Sequence, residues 1–505
     1  MTHRSHWHRR TNAATRGELG TLRYKRAIAA LIFALVALIA NAADAGRDPV
    51  EGFWLGTTGA DKEKIDVGLE FHRDAAGKLR LKLTEPIMNY FGVDDPGEVR
   101  REGDRVIDEA LFLDLTLKGD TLTGSYPGPR SPASLHRVDR LPAEAPIPEL
   151  PTGPAPLWQT RLNGQAYAAP IVADDVAYIG TTGGAFYAVD TKKGAITWAF
   201  GAGAPIFGAA AVDGGAVYFA CDNGFLYKID RASGKETWHY DLGDGAVPRI
   251  LPDPSGLSRD WQAAQPLIAD GVVYIGGGDG GFHAVDASTG QRKWRFAASG
   301  KIRSGAAING GDVIFGSADH FIYVLDRKTG SERWRYDTKA DVDATPVVSD
   351  GRIFIGNRGY GLFAIAADSG KELWKQFFWG SWVESTPVVR DGVIYIGSSD
   401  LRRVSAIDPK DGHVIWRSDV YGWSWGTPVV TQDRIYAGAA GGTPYFLHHV
   451  ASFSTLDRKT GKLLARWPIA DAGGHQWGIA GSPAASGDAV IVATIAGSLY
   501  AFPMQ

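Results

Sequence analysis

The chain has one cysteine, Cys221, among its 505 residues, and this scarcity excludes several arrangements. A single thiol cannot form an intramolecular disulfide, and no Cys-x-x-Cys-His motif for haem attachment is present. No cysteine stands directly after the apolar segment near the start of the chain, so we do not expect a lipoprotein. We expect Cys221 itself to be a small buried apolar residue.

Long apolar runs are also missing, apart from one near the start of the chain. Seven basic residues lie between Arg4 and Arg26, and the apolar segment AIAALIFALVALIANAADA follows them. Its apolar core ends near Ala40 and is shorter than the roughly 20 residues that span a bilayer. Because small residues suited to cleavage follow, residues 1–45 are predicted to be a cleaved secretory signal peptide and the mature protein to be periplasmic. The alternative is an uncleaved anchor.

The sequence has no excess of positive charge. The full chain carries 53 Lys and Arg against 56 Asp and Glu, and removal of residues 1–45 takes away seven basic and two acidic residues, which leaves a net charge of −8. Such a balance offers no broad basic surface for nucleic acid or anionic lipid. We therefore expect no nucleic-acid partner and no membrane span after cleavage of the signal.

Helical periodicity is not seen beyond the apolar segment, and the chain instead repeats itself. The repeat is marked by tryptophans about forty residues apart, at Trp158, Trp198, Trp238, Trp294, Trp334, Trp374 and Trp416. Turns such as DTKKGAITW, DRASGKETW and DPKDGHVIW precede them, and a further copy, DRKTGKLLARW, places Trp467 two positions late. Each unit also holds short alternating runs such as VVYIG and VIYIG, which are typical of strands. Four short strands per unit predict an all-β fold, a β-propeller.

Counting these units gives eight four-stranded blades. Seven units are complete, and an eighth, GSPAASGDAVIVATIAGSLYAFP, ends one strand short. The segment PLWQTRL at 156–162 is expected to supply the missing outer strand and to close the ring, which removes the exposed sheet edges. The tryptophans of the repeat are expected to pack between blades.

The turn pattern Ala-x-Asp-x-x-x-Gly-x-x-x-Trp, as in AVDTKKGAITW, resembles the repeat of pyrroloquinoline-quinone (PQQ)-type propellers. That family includes quinoprotein alcohol dehydrogenases and the outer-membrane assembly factor BamB. The resemblance covers about 156–505 and implies the propeller fold. It does not choose between functions, because one fold hosts many of them.

Residues 46–140 do not follow the repeat. The runs VEGFWLGTT, VGLEFHRDAAGKLRLKLTEP and LFLDLTLKGDTLTGSY predict antiparallel strands joined by glycine-containing hairpins, and they resemble a small β-barrel-like domain of secreted proteins. A proline-rich segment at 141–155 predicts an extended linker, so the propeller is assigned to 156–505. The small domain is expected either to bind a partner or to cap the ring.

The insertions between repeats fall on one side of the predicted ring. If the strands of a blade are labelled A to D from the axis outward, the D–A and B–C connections share one face, here called the D–A/B–C face. The longer connections are PRILPDPSGLSRDWQ, GTPYFLHHVASFS and AGGHQWG, and all are of these two kinds. Because binding collects on loops held by a rigid scaffold, this face is predicted to be the working one.

Six tryptophans outside the repeat also lie in the D–A connections, at Trp261, Trp379, Trp382, Trp423, Trp425 and Trp477. An indole ring offers a large flat contact at low entropic cost, so these residues are predicted to form a stacking surface. The alternative is that they fill wide loops.

The position three residues before each strand A is expected to lie nearest the ring axis. The eight residues there are Tyr167, Phe207, Ala263, Arg303, Asp343, Glu384, Trp425 and Ala480. Arg303, Asp343 and Glu384 come from consecutive blades and predict a polar ligand site in which Arg303 holds an anionic group. The alternative is a salt bridge in a wet channel.

No metal site is predicted from this set. Asp343 and Glu384 supply fewer oxygens than the roughly 6–8 that Ca²⁺ usually takes. His448 and His449 are adjacent, so in a strand they would point to opposite faces.

These features favour a non-catalytic periplasmic scaffold that binds an envelope protein or a small anionic or aromatic ligand, as the resemblance to BamB implies. The alternative that the family implies is a PQQ- and Ca²⁺-dependent quinoprotein oxidoreductase, with Trp425 stacked on the quinone and Asp343 or Glu384 as the base. The alcohol dehydrogenases of the family have an adjacent cysteine pair, which this chain lacks. A second alternative is saccharide binding by the tryptophans.

Overall fold

The computed structural model describes residues 47–504, except 60–63, 129–130, 244, 246–248, 250–261, 444–446, 472 and 474. The predicted signal peptide and Trp261 lie outside the described residues. Within these ranges the chain is all-β, with 42 strands, and its only helical element is the 3-10 turn Pro86–Met88. A membrane-crossing helix, long and apolar enough for that role, is not found in the described part of the chain.

The chain forms two compact units. One comprises residues up to Thr84 together with Gly92–Ala143, and the other comprises Glu85–Phe91 and the chain from Glu144 onward. Part of the proline-rich segment therefore belongs to the ring unit. Its carboxylate Glu144 lies 2.9 Å from Arg402, and the carbonyl of Pro151 accepts a hydrogen bond from the amide of Arg466 at 3.1 Å. These contacts hold the extended segment against blades 6 and 7.

The N-terminal unit is a curled antiparallel sheet of nine strands. They are β1 (Gly52–Thr58), β2 (Ile65–Arg73), β3 (Leu79–Glu85), β4 (Tyr90–Asp94), β5 (Arg100–Glu102), β6 (Arg105–Asp108), β7 (Leu113–Lys118), β8 (Thr121–Ser125) and β9 (Pro132–Val138). Their order is β4-β3-β2-β1-β9-β8-β7-β6-β5, so the sheet has two ends and curls like part of a barrel. Trp54 is buried at its centre, where its indole N–H donates to the carbonyl of Val50 at 2.7 Å.

The second unit is a ring of eight blades, as the sequence predicted. Blades 1 to 4 contain, in order, β11 (Ile171–Ala173), β12 (Val176–Gly180), β13 (Ala185–Asp190), β14 (Ile196–Gly201); β15 (Ala211–Asp213), β16 (Ala216–Ala220), β17 (Phe225–Asp230), β18 (Glu236–Asp241); β19 (Leu267–Ala269), β20 (Val272–Gly276), β21 (Gly281–Asp286), β22 (Arg292–Ala297); and β23 (Ala306–Asn309), β24 (Asp312–Gly316), β25 (Phe321–Asp326), β26 (Glu332–Asp337). Each blade is an antiparallel meander from strand A to strand D.

Blades 5 to 8 follow the same plan, and the last is completed from the other end of the ring. They contain β27 (Val347–Ser349), β28 (Arg352–Gly356), β29 (Gly361–Ala366), β30 (Glu372–Phe377); β31 (Val388–Arg390), β32 (Val393–Gly397), β33 (Arg403–Ile407), β34 (Val414–Asp419); β35 (Val429–Val430), β36 (Arg434–Gly442), β37 (Ser452–Asp457), β38 (Leu463–Pro468); and β40 (Ala484–Ser486), β41 (Ala489–Ala493), β42 (Ser498–Pro503). Strand β10 (Trp158–Arg161) pairs with β42, from Trp158 opposite Ala501 to Arg161 opposite Ser498. The predicted closure of the ring is confirmed.

The repeated tryptophans join each blade to the next. The indole N–H donates to a backbone carbonyl in the C–D turn of the following blade, as from Trp198 to Arg231 at 2.8 Å and from Trp294 to Arg327 at 3.1 Å. The glycine of that turn lies against the indole: a Cβ on Gly330 would be 2.6 Å from Cε3 of Trp294. Both residues of the Gly-x-x-x-Trp spacing are therefore needed. The glycine contacts the tryptophan of the preceding blade, and the tryptophan contacts the turn of the following blade.

Trp467 departs from this rule because blade 8 has no C–D turn to receive it. Strand β42 ends the ring, and strand D of blade 8 is β10 from the other end of the chain. Trp467 instead packs edge-on against Tyr500 and Phe502, with ring centroids 5.2 Å and 4.9 Å away. Its displaced position in the sequence corresponds to this different partner.

Candidate functional site

The ring encloses a central cavity of about 140 Å³. Its lining includes all eight residues that precede strand A by three positions, namely Tyr167, Phe207, Ala263, Arg303, Asp343, Glu384, Trp425 and Ala480. The residues two positions further along each connection form a second layer, namely Ala169, Ala209, Gln265, Gly305, Thr345, Thr386, Thr427 and Ser482. The cavity therefore has one layer of large or charged side chains and one of smaller side chains.

Glycines that end strand B let the cavity residues approach the axis. A Cβ on Gly316 would overlap Val342, which directly precedes Asp343, and a Cβ on Gly356 would overlap Val383, which precedes Glu384. The strand-B glycine of one blade is thus in contact with the connection that leads into the next. This contact determines the position along the ring axis at which each lining side chain enters the cavity.

The acidic side of the cavity is held by Arg358, a residue of the B–C turn of blade 5. Its Nε lies 3.0 Å from Oδ2 of Asp343, and its Nη2 lies 2.8 Å from Oε1 of Glu384. The guanidinium carbon is also 4.7 Å from the centre of the Trp382 ring. Burial opposes the charge of Arg358, but the attraction of Glu384 and Asp343 outweighs it and raises the pKa of the guanidinium. The two predicted carboxylates are therefore paired with a cation that stays charged.

Arg303 enters the cavity over Gly278, a glycine in the B–C turn of blade 3. A Cβ on Gly278 would lie 3.0 Å from both Nη1 and Nη2 of Arg303, which is closer than a side chain usually tolerates. Gly278 therefore makes room for the guanidinium. Arg303 is 7% exposed, so an anionic group that reached it would do so in a largely dry environment.

The opposite side of the cavity is aromatic. Tyr167 and Phe207 have ring centroids 5.7 Å apart, and the guanidinium carbon of Arg249 lies 4.5 Å from the centre of Phe207. Arg249 is itself held by two bonds to Asp222, Nε to Oδ2 at 2.5 Å and Nη2 to Oδ1 at 2.7 Å. The cavity thus combines a charged half with an aromatic half.

Trp425 and Trp423 form a buried stack at the wall between these halves. Their rings lie 4.9 Å apart at an angle of 12°, and His449 lies 4.1 Å beyond Trp423. Ser399 accepts the indole N–H of Trp425 at 3.0 Å, and Asp400 accepts that of Trp423 at 2.8 Å. Trp425 lines the cavity, whereas Trp423 is 1% exposed and packs behind it.

The other predicted tryptophans do not reach the cavity lining. Trp382 is partly exposed beneath Arg358. Trp379 packs edge-on against Phe377, with centroids 5.1 Å apart. Trp477 belongs to an additional strand, β39 (Gln476–Gly478), which pairs with the end of β36 and packs the indole against Gly441. These three tryptophans, with Trp423, are not among the residues that line the cavity, whereas Trp425 is.

The D–A connections and B–C turns lie on the same face of the ring. In six blades of the described ring the B–C turn donates a backbone hydrogen bond to the D–A connection, as from Thr182 to Gln165 at 2.9 Å and from Arg358 to Asp341 at 2.9 Å. These bonds tie the cavity residues to the turns around them.

Sequence reasoning missed the contribution of the B–C turns. Asp222, Gly278, Arg358 and Ser399 all stand two residues after the last residue of strand B, and each contacts a cavity residue or its neighbour. The sequence did indicate these positions, because each of the four residues stands at the same distance after its strand-B run. An arginine at this register in one blade, close to two carboxylates of the axial register, would have identified Arg358.

The cavity does not resemble a metal centre. Among the described residues no group of three or more His, Cys, Asp or Glu side chains is arranged to hold a metal ion. His449 stacks on Trp423 and places its Nδ1 3.1 Å from the carbonyl of Leu447. Cys221 is buried, and burial raises the pKa of its thiol.

Comparison with known proteins identifies the repeat. A family model described as outer membrane protein assembly factor BamB matches residues 152–249, 202–357 and 318–505. The chain belongs to this family. A search of curated proteins gave no significant match to the chain.

Solved structures that resemble the BamB-family ring include proteins of different function. BamB from Moraxella catarrhalis is 17% identical, with a TM-score of 0.54, and the match covers 69% of this chain and 99% of that one. The quinohemoprotein alcohol dehydrogenase from Comamonas testosteroni is 15% identical, with a TM-score of 0.53, over 69% of this chain and 76% of that one. A europium-containing methanol dehydrogenase is 15% identical, with a TM-score of 0.55, over 67% of this chain and 84% of that one. Likeness at these identities supports the fold alone.

Proposed function

We propose that this BamB-family chain is a non-catalytic scaffold of the periplasm that binds an envelope protein through its D–A/B–C face. The central cavity would receive one anionic or aromatic side chain of that partner. The observation that carries this proposal is the cavity itself, in which about 140 Å³ lies between Arg303 on one side and Tyr167 and Phe207 on the other. A space of this size suits a side chain or a very small ligand.

The arrangement of the charged groups in the cavity favours ligand binding over general-base catalysis. A general base needs a carboxylate that can accept a proton from a substrate. Asp343 and Glu384 are instead bonded to Arg358, which is 17% exposed and holds both of them. Because the ion pair with Arg358 occupies the carboxylates that would accept a proton, this side of the cavity favours a binding role.

The residues present do not fit PQQ, the cofactor that the family implies. Sites for ligands of comparable size usually enclose roughly 300–1,000 Å³, well above the volume of this cavity. The carboxylates that would share Ca²⁺ bind Arg358 instead. We therefore do not propose a quinoprotein dehydrogenase.

Site-specific photocrosslinking in the periplasm tests the binding face. A photoreactive residue at Gln165, which is exposed in a D–A connection, should give a discrete covalent adduct with an envelope protein. The same residue at Asp350, which is exposed in an A–B turn of the opposite face, is the matched control. Arg303→Ala should reduce the Gln165 adduct. Adducts of equal yield from both faces, or none from Gln165, would contradict the proposal.

Titration with PQQ tests the alternative function. Tryptophan fluorescence of the purified chain should show no saturable quenching at micromolar PQQ, with or without Ca²⁺. Saturable quenching that Arg303→Ala weakens would instead favour an oxidoreductase, and substrate screening would follow.

A further inference from the structure

Pairs of aromatic side chains occupy the outer part of several blade junctions. On strand C, the residue opposite the one that follows the repeat tryptophan is aromatic or histidine in six blades, at Tyr187, Tyr227, His283, Tyr323, Phe363 and Tyr500. In blades 2 to 5 this ring lies against a ring on strand D of the preceding blade. The pairs are Phe200 with Tyr227, Tyr240 with His283, Phe296 with Tyr323 and Tyr336 with Phe363. The repeat thus places two rings side by side at these junctions.

The junction between blades 5 and 6 lacks both rings. Ser405 takes the strand-C position, opposite Arg417, and is 1% exposed. Gln376 takes the strand-D position of blade 5, where its Nε2 donates to the carbonyl of Phe377 at 3.0 Å. Smaller polar side chains therefore stand where the junctions of blades 2 to 5 hold rings, and they bring hydrogen-bonding groups to this place.

Two arginines of blade 6 face this place. Side chains alternate along a strand, so Arg403 lies on the same face of the sheet as Ser405, and Arg417 lies opposite Ser405. Ile407 packs with Leu362 of blade 5, so this face of strand C is turned toward that blade. The positions equivalent to Arg403 in blades 1 to 5 carry no charge, and they are Ala185, Phe225, Gly281, Phe321 and Gly361. Arg403 is therefore not part of the common repeat.

Arg417 lacks the kind of partner that its counterparts have. The basic residues at the equivalent position of blades 2 to 5 and 7 each contact an acidic or aromatic side chain. These pairs are His239 with Glu236, Arg295 with Asp279, Arg335 with Glu332, Lys375 with Phe363 and Arg466 with Tyr421. The Nε of Arg417 is buried and has no hydrogen-bond partner among the described residues. In the described part of the chain, neither Arg417 nor Arg403 forms an ion pair.

The charges around these two arginines leave an excess of positive charge. Burial lowers the pKa of both guanidiniums, and the charge of Arg403 lowers the pKa of Arg417 further. Asp419 attracts Arg403, but this carboxylate already lies 3.1 Å from Arg402, which is also 2.9 Å from Glu144. Three arginines thus share two carboxylates. An anion that entered the junction would offset both the burial of the charges and their repulsion.

We propose that the junction of blades 5 and 6 binds a small oxyanion, such as inorganic phosphate, between Arg403 and Arg417. Guanidinium groups match the geometry of phosphate through their forked donors. The hydroxyl of Ser405 and the second amide hydrogen of Gln376 are further donors at this place. Because both arginines are part-buried, the site favours a free anion over a headgroup held in a flat membrane. The site lies on strands C and D, outside the lining of the central cavity, and does not depend on the function proposed above.

Binding of inorganic phosphate to the full mature chain tests the proposal. Calorimetric titration with sodium phosphate at constant ionic strength should show one saturable site, with a dissociation constant at or below about 1 mM. Arg417→Gln should weaken binding by about tenfold or more, because it removes one of the two guanidiniums. Arg335→Gln, at the equivalent position of blade 4, is the matched control and should bind phosphate like the wild type. Ser405→Tyr, which restores the side chain of blades 1, 2 and 4, should abolish binding by filling the junction.

Thermal unfolding distinguishes a binding role of Arg417 from a structural one. Arg417→Gln should melt above the wild type in phosphate-free buffer, because it removes a part-buried charge that the chain does not neutralise. Phosphate should raise the melting temperature of the wild type more than that of Arg417→Gln, and this comparison removes the general stabilisation that phosphate gives to proteins.

Three results would overturn the proposal. The first is equal phosphate binding by Arg417→Gln and the wild type. The second is a lower melting temperature of Arg417→Gln with an unchanged response to phosphate, which would show that the arginine is structural. The third is binding to phosphatidylglycerol vesicles without binding to inorganic phosphate, which would assign the site to a lipid headgroup. If Ser405→Tyr does not fold, the measurements on Arg417→Gln decide the question.

Discussion

At the scale of single residues, His283 shows what burial does to an ionisable group within a blade. The imidazole is 2% exposed, and its Nδ1 lies 3.0 Å from the hydroxyl of Tyr240. Burial disfavours the charged form and lowers the pKa of His283 to about 4; the charge of Asp279 opposes this lowering, and the charge of Arg295 adds to it. The folded ring therefore holds this histidine neutral.

This neutral histidine predicts a pH dependence of stability. The unfolded chain would protonate His283 near its ordinary pKa of about 6.5, whereas the folded chain would do so only near 4. The unfolded state thus binds the proton first, so stability is complete above about pH 6.5 and decreases as the pH falls toward 4. His283→Gln should remove this part of the slope, about 3 kcal/mol across that range. Urea unfolding at several pH values measures it, with His136→Gln, at an exposed position, as the control that should keep the wild-type slope.

Arg358 is the residue on which the acidic side of the cavity depends. Arg358→Ala would leave Asp343 and Glu384 buried without their shared cation, and removal of one partner of a buried ion pair costs about 3–5 kcal/mol. Arg358→Lys should recover only part of this, because an ammonium group lacks the fork that reaches both carboxylates. Chemical unfolding of these variants tests the prediction. Arg335→Ala, which breaks an exposed pair with Glu332, should change the free energy of unfolding by no more than about 1 kcal/mol.

The cavity residues illustrate how far single positions could be predicted. The axial register placed Arg303, Asp343 and Glu384 together because the repeat fixes the length from each connection to strand A. The same register could not show that Trp423 would be buried, since its packing depends on Trp425 and on His449 from an inserted loop. Arg358 and Glu384 occupy different positions of the repeat in neighbouring blades. The pattern that defined the blades does not predict contacts of this kind.

At the scale of elements, the C–D turn both reverses the chain and joins two blades. Gly330 has φ +73°, a left-handed conformation that side chains disfavour, and it also lies against Trp294. Gly351 in an A–B turn has nearly the same φ, +71°, but a Cβ there would meet nothing within 4 Å. Comparison of these two glycines therefore distinguishes the effect of backbone strain from the effect of side-chain packing.

Alanine at these two positions should have different effects. Gly351→Ala introduces only backbone strain, about 1–2 kcal/mol. Gly330→Ala adds a Cβ 2.6 Å from Cε3 of Trp294. Overpacking at this contact should lower the free energy of unfolding by a further ~1–3 kcal/mol. Urea unfolding midpoints compare the two variants. Equal losses would show that the indole moves aside and that the glycine is required for its conformation alone.

The elements themselves were the most predictable part of the chain. Seven copies of one turn pattern defined the blades, because a glycine and a tryptophan at fixed spacing make the same junction in every copy except the one that carries the displaced Trp467. The long connections were less predictable: the segment around Trp477 forms an added strand on β36, which requires the extension of β36 to Gly442. Nothing in the forty-residue repeat specifies that extension.

At the scale of the whole molecule, the ring is closed by one short strand from the opposite end of the chain. Strand β10 contributes four residues to blade 8, paired with β42 on one side. Trp158 of this strand also makes the junction with blade 1, where its indole N–H donates to the carbonyl of Thr191 at 2.7 Å and its ring lies against Gly194. In the other seven blades a C–D turn joins strands C and D, so β42 and β10 form the one C–D pair in the described ring without a covalent connection.

This difference predicts an unequal response to the same substitution. Trp158→Ala removes a contact of β10, a strand that only noncovalent contacts hold in blade 8, so β10 should leave blade 8 and expose β42 as a sheet edge that other chains can pair with. Trp294→Ala removes the equivalent contact of β22, which a C–D turn still joins to β21 of its own blade. Hydrogen exchange measured by mass spectrometry should therefore show faster exchange across Ser498–Pro503 in Trp158→Ala, together with concentration-dependent association. Trp294→Ala should lower stability without either effect, and equal exchange in both variants would mean that the β10–β42 pairing alone keeps the ring closed.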